Sequence, residues 1–252
     1  MSTKNVSIII PTLNEEEGIA KTICSIPPKV KKIAEVIVVD SSKDMTPIIA
    51  ERLGAKVIRV PKKGKGYAMK VGVKHAKGDI IIFMDGDGTD PPKYIPKMLK
   101  KLKKYDLVLA ARNSRPRSPD KGTKLFFLIY IPIARSIFGA VGFKTKGDPL
   151  AGYRALKKST WYKLNLKSND LLIETEMNLK ALDHGLKIYE IAIPVLSRGG
   201  GILKSKSVQT LVPLATKIIN YCLKYSKDKI VKEKLKSLKA RILEIKKILM
   251  YK

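Results

Sequence analysis

Short apolar runs alternate with amphipathic stretches through the first half of this 252-residue chain. Three of the runs, the first, second and fourth, are almost uniformly apolar, as strands are in a sheet covered on both faces. The predicted strands are Val6–Ile10, Val36–Val39, Lys56–Val60, Ile80–Met84 and Leu107–Ala110. The stretches between them predict helices at Glu16–Ser25, Thr46–Leu53, Gly66–Lys77 and Pro92–Lys104. This alternation predicts an α/β fold with a mainly parallel sheet, right-handed crossovers and helices on both faces.

Polar residues follow three of the predicted strands at their carboxyl ends. These segments are Pro11–Glu15, Asp40 and Asp85–Asp87. In open α/β sheets, ligands bind in the crevice outside the carboxyl ends of the strands. We therefore expect the three segments to line one site.

The sequence Asp85-Gly86-Asp87-Gly88 carries the strongest chemical signal in the chain. Residues two apart on an extended chain point the same way, so both carboxylates could converge on one divalent cation. Oxygen ligands without His or Cys suit Mg²⁺ or Mn²⁺, and phosphate oxygens usually complete the coordination of such an ion. The motif therefore predicts a site that handles a diphosphate, although a simple turn after a strand has the same composition.

Three other phosphate or metal motifs are excluded at this position. An EF-hand loop starting at Asp85 would need Gly and Glu where Asp90 and Pro96 stand. A dinucleotide fingerprint would need a third Gly at the position of Pro91. No GxxxxGK[ST] phosphate loop occurs anywhere in the chain.

Composition and charge restrict the class of partner. An apolar content of 44% provides for one sizeable α/β domain with an appendage. The chain has 51 Lys and Arg against 22 Asp and Glu, a net charge of +29. A chain this basic is suited to nucleic acid, an acidic membrane surface or a phosphorylated substrate. Two cysteines and no CxxC motif indicate the reducing interior of a cell. The first apolar run is too short for a signal peptide. We therefore expect a cytoplasmic protein.

Five segments, in this order, resemble the family 2 glycosyltransferases, which have the GT-A fold. The first four are Val6–Gly18, Val36–Asp40, Gly64-Lys65-Gly66 and Asp85-Gly86-Asp87, and the fifth is Gly147–Arg154. The second half of the chain, with the helix around Glu174–His184 and with Arg198, agrees with the resemblance. It covers about residues 5 to 206 and is greatest to polyprenyl-phosphate sugar synthases of the dolichyl-phosphate mannose or glucose type. The resemblance implies metal-dependent, inverting transfer of a sugar from a UDP- or GDP-sugar to a polyprenyl (dolichyl) phosphate at the cytoplasmic membrane face.

The resemblance also implies roles for individual residues. Asp85 and Asp87 would hold Mg²⁺ or Mn²⁺, and Arg112 and Arg198 would contact phosphate. The implied catalytic residues are Asp87 and the two arginines. The residues implied to bind the nucleotide sugar are Pro11, Leu13, Glu15, Asp40, Lys65 and Asp85; those for the acceptor phosphate are Arg112, Arg198 and Lys204. The chain departs from the family at Ser41, where a second Asp is common, and at Thr89, where many lipid-phosphate members have Gln.

The kind of acceptor remains open at this level. A phosphate monoester is largely dianionic at neutral pH and attacks without losing a proton. A hydroxyl acceptor would need a general base such as Glu174 or Glu176, which cannot share a helix face because they are two residues apart. The alternatives are therefore a soluble transferase acting on a sugar hydroxyl or small phosphorylated acid, and a nucleic-acid-binding protein. We expect no nucleic-acid partner, because no zinc-finger or RNP-like motif occurs and the 15 Phe and Tyr and one Trp are not grouped as stacking platforms.

Two later segments concern the membrane. Leu125–Phe143 is apolar but interrupted by Pro132 and Arg135, so it suits either the headgroup region or a core helix and does not span a bilayer. We predict a GT-A domain at 1–203 and a basic amphipathic appendage at 204–252. The appendage has a heptad-like apolar stripe that could face lipid, its own domain, or an oligomer or helix partner: Val231, Leu235, Leu238, Ile242, Ile245 and Leu249.

Overall fold

The computed structural model describes residues 5–112, 121–194, 196, 198 and 208–250, and its core is one seven-stranded sheet. The strands are β1 Val6–Thr12, β2 Ala34–Asp40, β3 Lys56–Arg59, β4 Ile80–Phe83, β5 Leu107–Arg112, β6 Arg154–Lys157 and β7 Ile188–Ile193. Their order across the sheet is β3-β2-β1-β4-β6-β5-β7. Only β6 runs antiparallel to its neighbours β4 and β5; the other described pairs are parallel. The predicted fold class is thus confirmed.

Ten helices are present in the described part of the chain. They are α1 Glu16–Cys24, α2 Pro28–Ile33, α3 Thr46–Arg52, α4 Lys65–His75, α5 Ile95–Lys101, α6 Lys121–Ala140, α7 Lys158–Leu164, α8 Ile173–Asp183, α9 Val208–Tyr225 and α10 Lys229–Met250. A short 3₁₀ turn, Pro92–Tyr94, precedes α5 and shortens the helix predicted there. Helix α2 was not predicted from sequence, because six residues are too few for a clear helical period.

The helices cover both faces of the sheet, as the uniformly apolar strands predict. Ile8 and Ile10 of β1 pack with α1, α2, α3 and α5, whereas Ile9 between them packs with α4 and α6 to α10. The alternation follows from the two-residue period of a strand. Each face has its own core, and both strand faces are almost fully buried.

The apolar stripe of α10 contacts the chain's own helices. Leu235 and Ile242 are buried in the same hydrophobic cluster as Ile9 of the sheet, and α10 packs against α9 and α6. Among the side chains described, the stripe therefore faces the protein's own core, which is one of the alternatives that the sequence left open. The predicted domain boundary between 203 and 204 lies outside the described residues.

The apolar segment 125–143 becomes α6 followed by a turn. From Tyr130 onward its described inward residues, including Ile137 and Phe138, are buried against the same cluster. This half is a core helix, as one of the two sequence interpretations held. No helix in the described part of the chain is long and apolar enough to cross a membrane.

Candidate active site

The carboxyl ends of β1, β2 and β4 meet at one place, as predicted. The hydroxyl of Thr12 at the end of β1 donates to Asp40 Oδ1 at the end of β2, at 2.7 Å. A Cβ at Gly86, after β4, would lie 2.7 Å from the Thr12 side chain, so the turn following β4 packs directly on β1. Pro11 and Leu13 lie half-buried beside this junction.

Asp40 is fully buried, and both oxygens of its carboxylate accept hydrogen bonds from neighbouring residues. Oδ1 accepts from the hydroxyls of Thr12 and Ser42, at 2.7 and 2.5 Å. Oδ2 accepts from the Ser42 N–H at 3.0 Å and from Arg59 Nη1 at 2.6 Å. In this structure Asp40 therefore joins the ends of three strands, and its side chain does not face open space.

Asp85 forms an ion pair with two cations. Lys65 Nζ lies 2.7 Å from Oδ1, and Arg112 Nη2 lies 3.1 Å from Oδ2. Burial alone would raise the pKa of Asp85, but the charges of Lys65 and Arg112 outweigh it and hold that pKa well below its usual range. The strand ends at Phe83 and a turn at Gly86 and Asp87 follows Asp85, so the extended-chain geometry assumed from sequence does not hold between the two carboxylates.

Lys65 bridges two carboxylates from distant parts of the chain. Besides Asp85, its Nζ contacts Oε1 of Glu174 on α8 at 2.8 Å. Burial lowers the pKa of Lys65, but the two carboxylates raise it more, and the net shift is well above its ordinary value. A Cβ at Gly152 would lie 2.5 Å from this Nζ, which explains why a glycine faces the pair.

Asp90 is a member of the site that the sequence interpretation missed. Its Oδ1 accepts from Arg112 Nη2 at 2.9 Å and its Oδ2 accepts from the Asp85 N–H at 2.9 Å. Burial raises the pKa of Asp90 to about 6, although Arg112 opposes this shift. The available signal was a third acidic residue five positions after Asp85 in a segment of turn residues.

Asp87 and Glu15 share the guanidinium of Arg198. Arg198 lies 2.7 Å from Glu15 through Nη2 and 3.2 Å from Asp87 through Nη1. Asp87 Oδ1 also accepts from the N–H and hydroxyl of Thr89, at 3.0 and 2.6 Å. The structure thus brings Arg198, more than 180 residues away from Glu15 in sequence, to the predicted crevice. Lys204 lies outside the described residues.

Arg154, the first residue of β6, holds the segment that precedes this strand. Arg154 is fully buried and donates to the carbonyls of Ala151 and Pro149 and to Asn178 Oδ1, at 2.7, 2.9 and 2.8 Å. Burial lowers its pKa to about 10. Burial also raises the pKa of Asp148, although the charges of Arg112 and Arg154 oppose this rise.

The residues fit a divalent cation only if a ligand supplies further oxygens. In the described part of the chain, no three His, Cys, Asp or Glu side chains are grouped to hold a metal ion by themselves. The site nevertheless has an excess of two negative charges when all its groups are ionised. This follows from six carboxylates and four cations: Glu15, Asp85, Asp87, Asp90, Asp148 and Glu174 against Lys65, Arg112, Arg154 and Arg198. Mg²⁺ commonly binds through one or two carboxylates and substrate phosphates, which matches this donor set.

Two buried donors in the site lack a partner among the described residues. They are the Nε–H groups of Arg112 and Arg198. Buried polar groups are almost always hydrogen-bonded, so unpaired donors indicate either a functional role or a missing ligand. Both groups suit anionic oxygens.

The fold and the site define a GT-A glycosyltransferase, and the comparisons agree. Residues 7–159 match Glycosyl transferase family 2, and the chain belongs to that family. The dolichyl-phosphate hexose transferase of Haloferax volcanii is 29% identical over 202 residues, 78% of this chain and 85% of the relative. Glycosyltransferase AglJ of the same organism is 34% identical over 72% of this chain, but the match spans only 60% of AglJ. The dolichol-phosphate mannosyltransferase of Pyrococcus furiosus is 28% identical, over 81% of this chain and 60% of that enzyme.

Solved structures resemble the chain over most of its length. The glucosyl-3-phosphoglycerate synthase of Mycobacterium tuberculosis, in complex with Mn²⁺, UDP and phosphoglyceric acid, matches with a TM-score of 0.69. The sequences are 25% identical, and the match covers 88% of this chain and 78% of the synthase. The same enzyme has also been solved with Mg²⁺ and UDP.

Proposed function

We propose that this glycosyltransferase moves a sugar from a nucleotide sugar to a polyprenyl phosphate and uses a divalent cation to do so. The paired arrangement of Arg112 and Arg198 carries the proposal. Each guanidinium already holds two carboxylates and has a buried Nε–H without a partner among the described residues. Arg112 contacts Asp85 and Arg198 contacts Asp87. Two such groups suit two anionic groups, a leaving diphosphate and an attacking phosphate.

The residues present can hold the donor and stabilise its leaving group. Asp85 and Asp87 would hold Mg²⁺ or Mn²⁺ together with the diphosphate, and the cation would neutralise the charge that develops on the leaving phosphate. Lys65 keeps Asp85 ionised and adds positive charge beside the same oxygens. Glu15, Pro11 and Leu13 lie at the carboxyl end of β1, where a nucleoside would lie in this type of sheet.

The engagement of Glu174 and Glu176, the two bases considered from sequence, favours a phosphate acceptor. Glu174 forms an ion pair with Lys65 at 2.8 Å. Glu176 accepts from the N–H groups of Lys167 and Ser168 and pairs with Lys180. Because both carboxylates are buried and committed to these partners, neither is placed to take a proton from a sugar hydroxyl. A dianionic phosphate needs no such base.

A small phosphorylated acid is the second candidate acceptor. The structural neighbour from Mycobacterium tuberculosis binds phosphoglyceric acid, and the fold match covers 88% of this chain. The same two arginines would suit its phosphate. The names of the dolichyl-phosphate hexose transferase and the dolichol-phosphate mannosyltransferase support the lipid acceptor instead.

We infer that the protein acts at the acidic cytoplasmic face of the membrane. The α9–α10 hairpin buries its stripe and leaves basic side chains exposed, namely Lys224, Lys227, Lys229, Lys234, Lys236 and Arg241. Each Lys or Arg near an anionic surface contributes about 1 kcal/mol. This surface would bring the catalytic domain to a lipid acceptor.

The proposal is tested with the Asp87→Asn variant and a panel of radiolabelled UDP- and GDP-sugars in the presence of Mn²⁺. We expect turnover to fall at least about a hundredfold, because one ligand charge for the cation is lost. Asp79→Asn is the matched control, since Asp79 is exposed just before the opposite end of β4. Activity in excess EDTA equal to that with Mn²⁺ would contradict metal dependence.

The acceptor is identified in the same assay. We expect label to enter an organic-extractable, mild-acid-labile product with polyprenyl phosphate and not with free polyprenol. Transfer to 3-phosphoglycerate at a higher rate than to the lipid would favour the second candidate, and equal transfer to polyprenol would refute a phosphate acceptor.

A further inference from the structure

We propose that Glu176 is a positioning residue: by holding the loop between α7 and α8, it places Lys65 against Asp85 and so sets the affinity for the donor's diphosphate. The loop comprises residues 165–172. This inference rests on the proposed function, because it assigns Lys65 to the nucleotide sugar. It concerns a residue that does not touch the substrate itself.

Glu176 anchors the loop through its backbone. Its carboxylate is 2% exposed and accepts from the Lys167 N–H at 2.9 and 3.0 Å and from the Ser168 N–H at 2.7 Å. Burial would raise the pKa of Glu176, but the bonds from Ser168 and Lys167 lower it, and the net pKa is below its ordinary value. Hydrogen bonds to a charged acceptor are roughly twice as strong as neutral ones, so the anchor depends on the carboxylate form.

The anchored loop packs directly on the first turn of α4, which carries Lys65. The Tyr67 N–H donates to the Asn169 carbonyl at 2.9 Å. The glycines on both sides of Lys65 allow this approach of backbone to backbone. A Cβ at Gly66 would lie 2.5 Å from the Ser168 carbonyl oxygen, and one at Gly64 would lie 2.5 Å from that of Asn169.

Helix α8 therefore supports Lys65 by two routes. Glu174 contacts its ammonium at 2.8 Å, whereas Glu176, two residues along the helix, points to the loop. Residues two apart do not share a helix face, so the two glutamates cannot replace one another. Lys217 of α9 pairs with Asp170 of the same loop from outside.

The test compares Glu176→Gln and Gly66→Ala with the wild type. Glutamine keeps the size of the side chain but loses the charge. Its NH₂ group is a donor and cannot accept from the N–H groups of Lys167 and Ser168. Alanine at Gly66 would push the loop away from α4 while leaving Glu176 unchanged. Glu233→Gln is the matched control, because Glu233 is exposed on α10 and pairs only with Lys236 among the described residues.

Three measurements separate positioning from a merely structural role. Hydrogen exchange by mass spectrometry should become faster in peptides covering 64–70 and 166–172 in both variants. The Kd of UDP, and separately of GDP, with Mn²⁺ should rise about tenfold for the nucleotide that the wild type binds, which corresponds to about 1.4 kcal/mol. The donor KM should rise similarly while kcat changes less than threefold.

A Lys65→Met background decides whether Glu176 acts through Lys65. We expect Glu176→Gln to add less than a twofold change in nucleotide Kd once Lys65 is absent. An equal effect in both backgrounds, unchanged exchange in the loop, or faster exchange with unchanged Kd and KM would each overturn the proposal. Failure of the wild type to bind either nucleotide would overturn the proposed function and this proposal together, whereas the other outcomes overturn this proposal alone.

Discussion

Replacement of Arg112 by methionine should destabilise the fold in a pH-dependent way. Arg112 lies between the carboxylates of Asp85 and Asp90, at 3.1 and 2.9 Å, and its side chain is 14% exposed. Methionine keeps the length and apolar stem of the side chain but removes the charge. Asp85 retains Lys65 as a partner, whereas the fully buried carboxylate of Asp90 loses its only ion pair among the described residues.

The magnitude depends on whether Asp90 is ionised. Removing one partner of a buried ion pair costs about 3 to 5 kcal/mol when the other charge persists. The pKa of Asp90 is raised from 3.8 to about 6 in the folded protein, and Arg112 limits that rise. Without Arg112 the pKa rises further, so at pH 5 Asp90 is protonated and no longer needs a cation. We therefore expect a loss of about 3 kcal/mol at pH 8 and about 1 kcal/mol at pH 5.

The direction of the pH effect follows from proton binding. A carboxyl whose pKa is higher in the folded than in the unfolded state makes folding more favourable as the pH falls through the folded pKa. In the variant this gain begins at higher pH and is larger, so the deficit relative to the wild type shrinks on acidification. Asp148 changes in the same direction, because Arg112 also opposes the rise in its pKa.

Urea unfolding at pH 8 and pH 5, followed by circular dichroism, measures both losses. Arg135→Met, at an exposed position on α6, should change stability by less than about 0.5 kcal/mol at either pH. In the Asp90→Asn background, the loss caused by Arg112→Met should differ much less between the two pH values, and the remaining difference should come from Asp148. An equal loss at both pH values, or a larger loss at pH 5, would refute the assignment of Asp90 and Arg112 as a buried pair.

Two further predictions concern the C-terminal hairpin. Leu235→Ala should destabilise the protein by about 2 to 5 kcal/mol, because it leaves a cavity in the shared core. In the same urea assay, the control Ile230→Ala, at a side chain 67% exposed, should change stability by less than about 0.5 kcal/mol. Comparable effects would mean that the stripe does not pack on the protein's own core. The protein should cosediment with vesicles containing phosphatidylserine but not with neutral vesicles. Salt at 1 M, where the screening length is about 3 Å, should release it. Binding that is insensitive to salt or to lipid charge would contradict an electrostatic membrane contact.

The sequence alone determined five of the seven strands and the place of the candidate site. Runs of Val and Ile such as Val6–Ile10 report burial on both faces locally, because a strand's pattern has a period of two residues. The carboxyl ends of parallel strands lie at one edge of a sheet, so polar residues after β1, β2 and β4 were bound to meet. Asp85 and Asp87 were recognisable because turn glycines and paired carboxylates lie close together in sequence.

Other features were decided by tertiary structure, because they join residues that no local pattern relates. The partners of Lys65 are Asp85 and Glu174, 20 and 109 residues along the chain, and Arg198 reaches Glu15 across 183 residues. Strand β6, with four residues, enters the sheet antiparallel between β4 and β5 and has too short a pattern to be read alone.

The stripe on α10 shows the same limit of sequence patterns. An apolar helix face predicts that another apolar surface covers the helix. Lipid, a second subunit and the chain's own α9 could each provide such a surface. Only the folded chain determines which surface is close enough to cover it. Likewise, the pKa of Asp90 depends on burial and on Arg112, which come together only when β4 and β5 lie in the same sheet.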